Sequence, residues 1–355
     1  MSKFPEFDGV LTCPVSVGVS ERILLGHGSG GRLSAELIQS VFLPAFDNTA
    51  LNHLNDQAIV DFAGKQLAIT TDTFVVKPLF FPGGDIGSLA VHGTINDLAM
   101  GGVQPLYLSV AFILEEGLEI DALRRVVTSL QRAAEEAGVQ VVTGDTKVVE
   151  KGHGDGLFIN TTGIGIVPGR LHLSADQATP GDRVILSGPI GDHGIAILAQ
   201  REGLSFETTI QSDSAALHTL VRAMLQGVPS GAIRCMRDPT RGGLSSTANE
   251  IAAQSKVGIV LQEEKIPVRE EVRGACELLG LDPLYVANEG KLVAVVDPAA
   301  AEAVLKAMRA HPLGREACII GTVTESNRGT VVMRTAFGTM RIVDMLPGDQ
   351  LPRIC

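Results

Sequence analysis

The chain has no tryptophan, two tyrosines and an aromatic content of 4%. Rings on which bases stack are therefore scarce. A basic surface for a phosphate backbone is missing too, since 29 Lys and Arg face 40 Asp and Glu for a net charge of −11 at pH 7. No nucleic-acid partner is predicted. No apolar run approaches the ~20 residues of a spanning helix, so no membrane insertion is predicted. The mildly apolar stretch "GVLTCPVSVGVS" follows only Lys3 and sits beside Glu6 and Asp8, which does not match the basic start of a signal peptide. Cysteine is sparse: Cys13, Cys235, Cys276, Cys318 and Cys355 lie far apart with no C-x-x-C pair. Such an odd, scattered set fits a reducing compartment, and a cytoplasmic protein is predicted. The eight histidines show no i,i+4 pair or Cys/His ligand spacing, which argues against zinc and nickel. Also missing are the G-x-x-x-x-G-K-[ST] loop and a G-x-G-x-x-G turn between strand and helix.

What is present suffices for two cores: 355 residues, 45% of them hydrophobic. Strand and helix patterns mix without strict βαβ alternation, so the expected class is α+β, two layered domains followed by a flexible tail. The turn-rich stretches "PGR" at 168–170 and "TPGDRVILSG" at 179–188 bracket the expected boundary. The predicted division is an arm (1–22), an N-terminal domain (23–168), a C-terminal domain (169–345) and the tail (346–355). Leu33, Leu37, Ile38 and Val41 predict a helix, and "KQLAITTDTFVV" a strand carrying Asp72. A further helix should start behind Asp85 as its cap, carry Asn96 and Asp97, and stop at Gly101 and Gly102. Helical spacing is strongest over 121–138. The stretch 139–150 reads as a strand broken by a turn at Gly144 and Asp145, and 156–167 as another strand. Helices are expected over 192–200, 213–226 and 244–254, and a closing hairpin within 329–345.

The 40 glycines fall in short clusters. Gly26, Gly28, Gly30 and Gly31 in "GHGSGG" offer several backbone amides to an anion, as does "DPTRGGL" with Thr240 and Arg241. Asp56, Asp72, Asp97, Asp145 and Asp238 each stand beside a strand end, helix or glycine turn. Any one of them reads as a cap or turn residue. Gathered together, five carboxylates suit a hard cation such as Mg²⁺ that keeps phosphate and water among its ligands. Lys147, two residues after Asp145, and Glu289 in "ANEGKL" read singly as solvated surface charges. The last residue, Cys355, follows Pro347, Gly348 and Pro352, where a thiol is hard to bury.

In order and spacing, "HGSGG" (27–31), "TDTFVV" (71–76), "GDIGSLAVHGTINDLAMGG" (84–102), "VTGDTKVV" (142–149), "DPTRGG" (238–243), "ANEGKL" (287–292) and the terminal "PRIC" resemble the HypE family of hydrogenase maturation proteins. The resemblance runs from about residue 23 to the last residue and leaves 1–22 without a role. Its wider superfamily includes aminoimidazole ribonucleotide synthetase, selenophosphate synthetase and thiamine monophosphate kinase. The resemblance implies a homodimer of the aminoimidazole ribonucleotide synthetase type with Mg-ATP in a cleft near the dimer interface. It implies ATP-dependent dehydration of a carbamoyl group on Cys355 to a thiocyanate, the source of cyanide for the iron of [NiFe] hydrogenase. A carbamoyltransferase would load Cys355, and an iron-carrying scaffold complex would accept the cyanide. Asp56, Asp72, Asp97, Asp145 and Asp238 would hold Mg²⁺. Gly28, Gly30, Gly31, Asp72, Asn96, Thr240 and Arg241 would hold the nucleotide. Lys147 and Glu289 match family positions used in the dehydration: Glu289 would accept protons and Lys147 would stabilise the developing oxyanion, or each would orient the other through an ion pair. The rival is a sister ATP user that phosphorylates a small molecule such as selenide or a thiamine phosphate, for which "PRIC" has no use.

Overall fold

A computed structural model describes residues 22–169, 171–204 and 210–348 of the chain. Cys13, the rest of the arm before Arg22, and the tail from 349 to Cys355 lie outside the described residues. The first helix, α1 (Arg32–Leu37), runs through a π-helical segment (Ile38–Phe42) into α2 (Leu43–Phe46). Its apolar stripe does not face a core: Leu33 is buried, while Ile38 and Val41 are exposed. There follow β1 (Ala58–Phe62), β2 (Lys65–Phe74), the short pair β3 (Phe80–Phe81) and β4 (Gly84–Asp85), α3 (Ile86–Met100), β5 (Gln104–Glu115), α4 (Ile120–Ala137), β6 (Gln140–Val149) and β7 (Leu157–Ile166). These build a five-stranded sheet in the order β1-β2-β7-β5-β6.

α3 starts where the sequence predicts. The Asp85 carboxylate accepts the N–H groups of Gly87 (2.7 Å) and Ser88 (3.1 Å), satisfying donors that a helix start leaves without partners. The helix is buried on nearly every side, with Leu89, Val91, Ile95 and Leu98 fully enclosed. α4 buries one stripe, Val126, Leu130, Ala133 and Ala134, and ends on Gly138 at φ +71°. Truncating a buried leucine such as Leu130 to alanine costs about 2–5 kcal/mol. Both helices cover one face of the sheet. The opposite face carries no layer within the described chain, and its register aligns Ile69, Ile164 and Tyr107 in one row and Thr73, Asn160, Ala111 and Asp145 in another. The turn expected at Gly144 and Asp145 does not form. β6 runs unbroken in parallel with β5, and Gly144 instead lets the two backbones approach, since a Cβ there would overlap the Val110 carbonyl oxygen.

The second half contains β8 (Arg183–Leu186), α5 (Asp192–Glu202), α6 (His218–Gln226), β9 (Ile233–Arg237), α7 (Gly243–Ser255), β10 (Gly258–Gln262), α8 (Glu270–Leu279), β11 (Val293–Val296), α9 (Ala301–Ala310), β12 (Cys318–Thr324), β13 (Val331–Arg334) and β14 (Met340–Val343). Its sheet runs β14-β13-β10-β12-β8-β11-β9, and β13 with β14 is the predicted hairpin. Successive residues alternate between two cores: Val184, Leu186, Val293 and Val295 pack toward α7, and Ile185, Ala294 and Val296 toward α6 and α9. The fold is α+β, as expected. α6 begins at His218, so the helix predicted from 213 is shorter. Ala99 and Met100 of α3 enter the core beside α6 and α9, which joins the halves. Among the described residues no helix is long and apolar enough to cross a membrane.

Candidate active site

A cleft of about 760 Å³ opens between the halves. One wall is Asp56 and Gln57 before β1, Asp72 on β2 and Asp97 on α3; the other is Arg237, Asp238, Thr240 and Arg241 at and after β9. Asn249 and Glu250 of α7 and the buried Glu289 also reach it. His27, Gly30, Gly31 and Ser34 form its rim.

The rim is glycine for a steric reason. Gly30 sits at φ +72°, and a Cβ there would lie 2.6 Å from the Arg241 Cβ. A Cβ on Gly31 would overlap the carbonyl oxygen of Leu346, which accepts the Arg32 N–H at 2.9 Å. Arg241 Nη1 donates to the Gly28 carbonyl at 3.3 Å. The glycine loop, the "DPTRGG" turn and the start of the tail thus meet at one mouth.

Inside, four carboxylates crowd together. Burial raises Asp97 well above the ordinary carboxylate range, with Asp238, Asp72 and Asp56 adding repulsion and the Thr70 hydroxyl (donating at 2.7 Å) opposing it. Burial, reinforced by Asp56, pushes Asp238 up to about 8. Burial raises Asp56 to about 6 against the pull of Arg237, and raises Asp72 against the pull of Arg241. Arg237 is the local counter-charge: Nε faces Asp56 at 3.3 Å, Nη2 faces Glu250 at 2.6 Å, and Nη1 donates to the Leu54 carbonyl at 2.9 Å. Two guanidiniums, Arg237 and Arg241, against six carboxylates, Asp56, Asp72, Asp97, Asp238, Glu250 and Glu289, leave the cleft short of positive charge. Among the described residues no group of three or more His, Cys, Asp or Glu side chains is placed to hold a metal ion by itself. Diffuse acids of this kind suit a hard cation that arrives with phosphate and keeps its waters.

The structure brings together Asp56, Asp72, Asp97, Asp238, Gly30, Gly31, Thr240, Arg241 and Glu289, and places Gly28 beside them. It does not bring Asp145 and Lys147 there. Both lie exposed on the edge strand β6, paired with each other at 2.9 Å. Asn96 is also not in the lining. It is 1% exposed, its amide donates to the carbonyls of Ala215 (3.0 Å) and Glu289 (3.1 Å), and its oxygen accepts the Leu217 N–H (2.8 Å). With those bonds made, it serves as a strut behind the cleft. Cys355 lies outside the described residues; Gly348, the last one described, has its carbonyl 3.5 Å from the Ser29 hydroxyl at the mouth. Sequence reasoning missed Arg237 and Asn288. Arg237 directly precedes the "DPTRGG" block, and Asn288 ties "ANEGKL" to that block by donating to the Pro239 carbonyl at 2.9 Å.

Residues 54–167 match the family described as AIR synthase related protein, N-terminal domain, and residues 179–334 match its C-terminal domain. The carbamoyl dehydratase HypE of Azotobacter vinelandii is 62% identical over 329 residues, covering 93% of this chain and 96% of that protein. The chain belongs to the HypE family of carbamoyl dehydratases. Two HypE structures support the same assignment. One, of a HypE–HypF complex, has a TM-score of 0.83 and 49% identity over 87% of this chain and 99% of that one. The other, HypE in complex with ATP, has a TM-score of 0.79 and 52% identity over 94% of this chain and 100% of that one. Membership in the HypE family favours the dehydratase over the small-molecule kinase rival.

Proposed function

We propose that this chain dehydrates a carbamoyl group carried on its own Cys355 to a thiocyanate, using ATP, and so supplies cyanide for the iron of [NiFe] hydrogenase. The observation that carries the reading is the convergence at one mouth of an acid-lined cleft, a glycine rim and the start of the tail. Seven further residues reach up to about 25 Å, enough to turn Cys355 back into that cleft.

The chemistry has one obstacle: the carbonyl oxygen of S–C(=O)–NH₂ is a very poor leaving group. Attack of that oxygen on the γ-phosphorus of ATP breaks the bond to ADP, and loss of one nitrogen proton gives a phosphorylated imidate. Loss of the second nitrogen proton then closes C≡N as C–O breaks and phosphate departs. One proton ends on phosphate and one in solvent. Mg²⁺, when bound with the nucleotide, would neutralise phosphate charge.

In this reading Asp56, Asp72, Asp97 and Asp238 hold Mg²⁺, and Gly28, Gly30, Gly31, Thr240 and Arg241 cradle the phosphates. Glu289 accepts the nitrogen protons. Asp145 and Lys147 join from the uncovered sheet face, which we assign to a homodimer contact. Exposed Ile69, Tyr107, Ile113 and Ile164 on that face support a partner of the same chain. A carbamoyltransferase loads Cys355 and an iron-carrying scaffold complex accepts the cyanide, in the cytoplasm. HypF, present in the HypE–HypF structure, suggests the loader.

Intact-mass analysis of the carbamoylated protein with Mg-ATP tests the reading. Loss of one water from the C-terminal peptide is expected, and none in Cys355→Ala. ATP consumption with an unchanged peptide sinks it.

A further inference from the structure

Residues 211–217 precede α6 as an irregular strap, held along its length. The Ser212 N–H donates to the Pro82 carbonyl at 2.8 Å, and its hydroxyl meets His193 Nδ1 at 2.8 Å. The Ser214 hydroxyl meets His92 Nδ1 at 2.9 Å. Between them Asp213 points inward, its side chain 4% exposed. Oδ1 accepts the Glu289 N–H at 3.0 Å, and Oδ2 pairs with Lys291 Nζ at 2.9 Å. On the far side of the same residue Asn96 donates to the Glu289 carbonyl at 3.1 Å. Gly290 completes the fit, because a Cβ there would overlap the Asp213 carbonyl oxygen. The backbone on both sides of Glu289 is therefore held by buried groups while Glu289 itself lines the cleft.

Stability alone does not explain an ion pair in this place. Desolvating two charges cancels most of their attraction, and apolar replacements of equal volume are often neutral or better. What a carboxylate does here is accept a backbone N–H strongly and directionally. Burial alone would raise Asp213, but Lys291, the Glu289 N–H and His193 outweigh it and hold it below the usual range, so it stays an acceptor. A proton acceptor must sit within hydrogen-bond reach of its proton, and a misplacement near 1 Å costs on the order of 10²-fold in rate.

We propose that Asp213, held by Lys291, is a positioning residue that fixes the Glu289 peptide and so aims Glu289 at the carbamoyl nitrogen. The inference rests on Glu289 being the proton acceptor.

The test compares two double variants that both remove the ion pair, using the full carbamoylated chain. Asp213→Asn/Lys291→Met keeps an acceptor for the Glu289 N–H; Asp213→Leu/Lys291→Met has nearly the same shape and none. Single-turnover dehydration at saturating Mg-ATP should be at least about tenfold slower in the leucine variant. ATP affinity should agree within about twofold between the two, a split that general loosening would not give. Equal rates, or rate and affinity falling together, overturn the proposal. Should the leucine variant lack a cooperative melt, hydrogen exchange decides instead. The Glu289 amide must exchange slowly in both the parent and the asparagine variant, and fast exchange in the parent overturns the proposal. Glu289→Gln separates the two claims. Full activity there removes the proton-acceptor assignment itself; lost activity with equal rates in the Asp213 pair removes only the positioning role.

Discussion

Asp72 and Asp145 begin alike. Each follows a small residue in a strand and precedes threonine, and each accepts the N–H of that threonine at 2.8 Å. Their surroundings then diverge. Asp72 shares the helix-covered face of the N-terminal sheet with Asp97, and burial raises it. Asp145 sits on the opposite face at the sheet edge, where Lys147 lowers it. The same local motif yields a buried acid whose pKa is raised in one place and a solvated, paired anion in the other. Strand register makes the difference, because successive side chains point to opposite faces. If both acids serve one nucleotide, they do so from two copies of the chain.

The largest expected effect is on the covered face. Asp97→Asn should slow ATP-driven dehydration by about 10²-fold or more while keeping a cooperative melt, since it removes charge from the phosphate site. Activity within a few fold of the parent would take Asp97 out of the site. Asp145→Ala should also depress ATP use yet keep a cooperative melt, because within one copy the side chain is exposed and bonds its neighbours Thr146 and Lys147. Mixing and refolding that variant with Asp97→Asn sharpens the comparison. Half of the dimers would then be mixed, with one intact site each, and about a quarter of parental activity should return. No recovery would place both acids in a site within one copy. Ile164→Glu puts a charge at the centre of the uncovered face, and sedimentation should show the mass halved. An unchanged mass would mean that the face is not the contact. The smallest effect concerns pH. Asp56 at about 6 and Asp238 at about 8 bind protons more tightly when folded than their ordinary value, near 4, allows. Their stabilising protonation is complete below pH ~4 and is lost as pH rises through 6 to 8. Nucleotide- and metal-free protein should therefore melt lower at pH 8 than at pH 5, less so in Asp238→Asn; a flat profile in the parent would contradict the crowding.

The start and stop of α3 were legible because a cap is local chemistry: Asp85 and Gly101 act on neighbours within a turn. The stripe of α4 was legible by the same logic. The turn expected at Gly144 was wrong because glycine serves tight turns and close backbone contact equally, and only the β5 partner distinguishes them. The helix expected over 213–226 forms, but it starts at His218, because Asp213 and Ser214 found distant partners that outcompeted a first helical turn. The glycine and aspartate blocks named the chemistry of a phosphate site without showing which acids meet.

By itself the sequence determined the α+β class, the cap and stripe of its clearest helices, and the family. These depend on spacing along the chain or on ordered motifs. Only the tertiary structure decided that Asp56, Asp72, Asp97 and Asp238 share one cleft, that Arg237 offsets their charge, and that Asp213 and Asn96 hold Glu289 from behind. Those contacts join residues far apart in sequence, and strand register and domain packing, which no local pattern encodes, choose the partners.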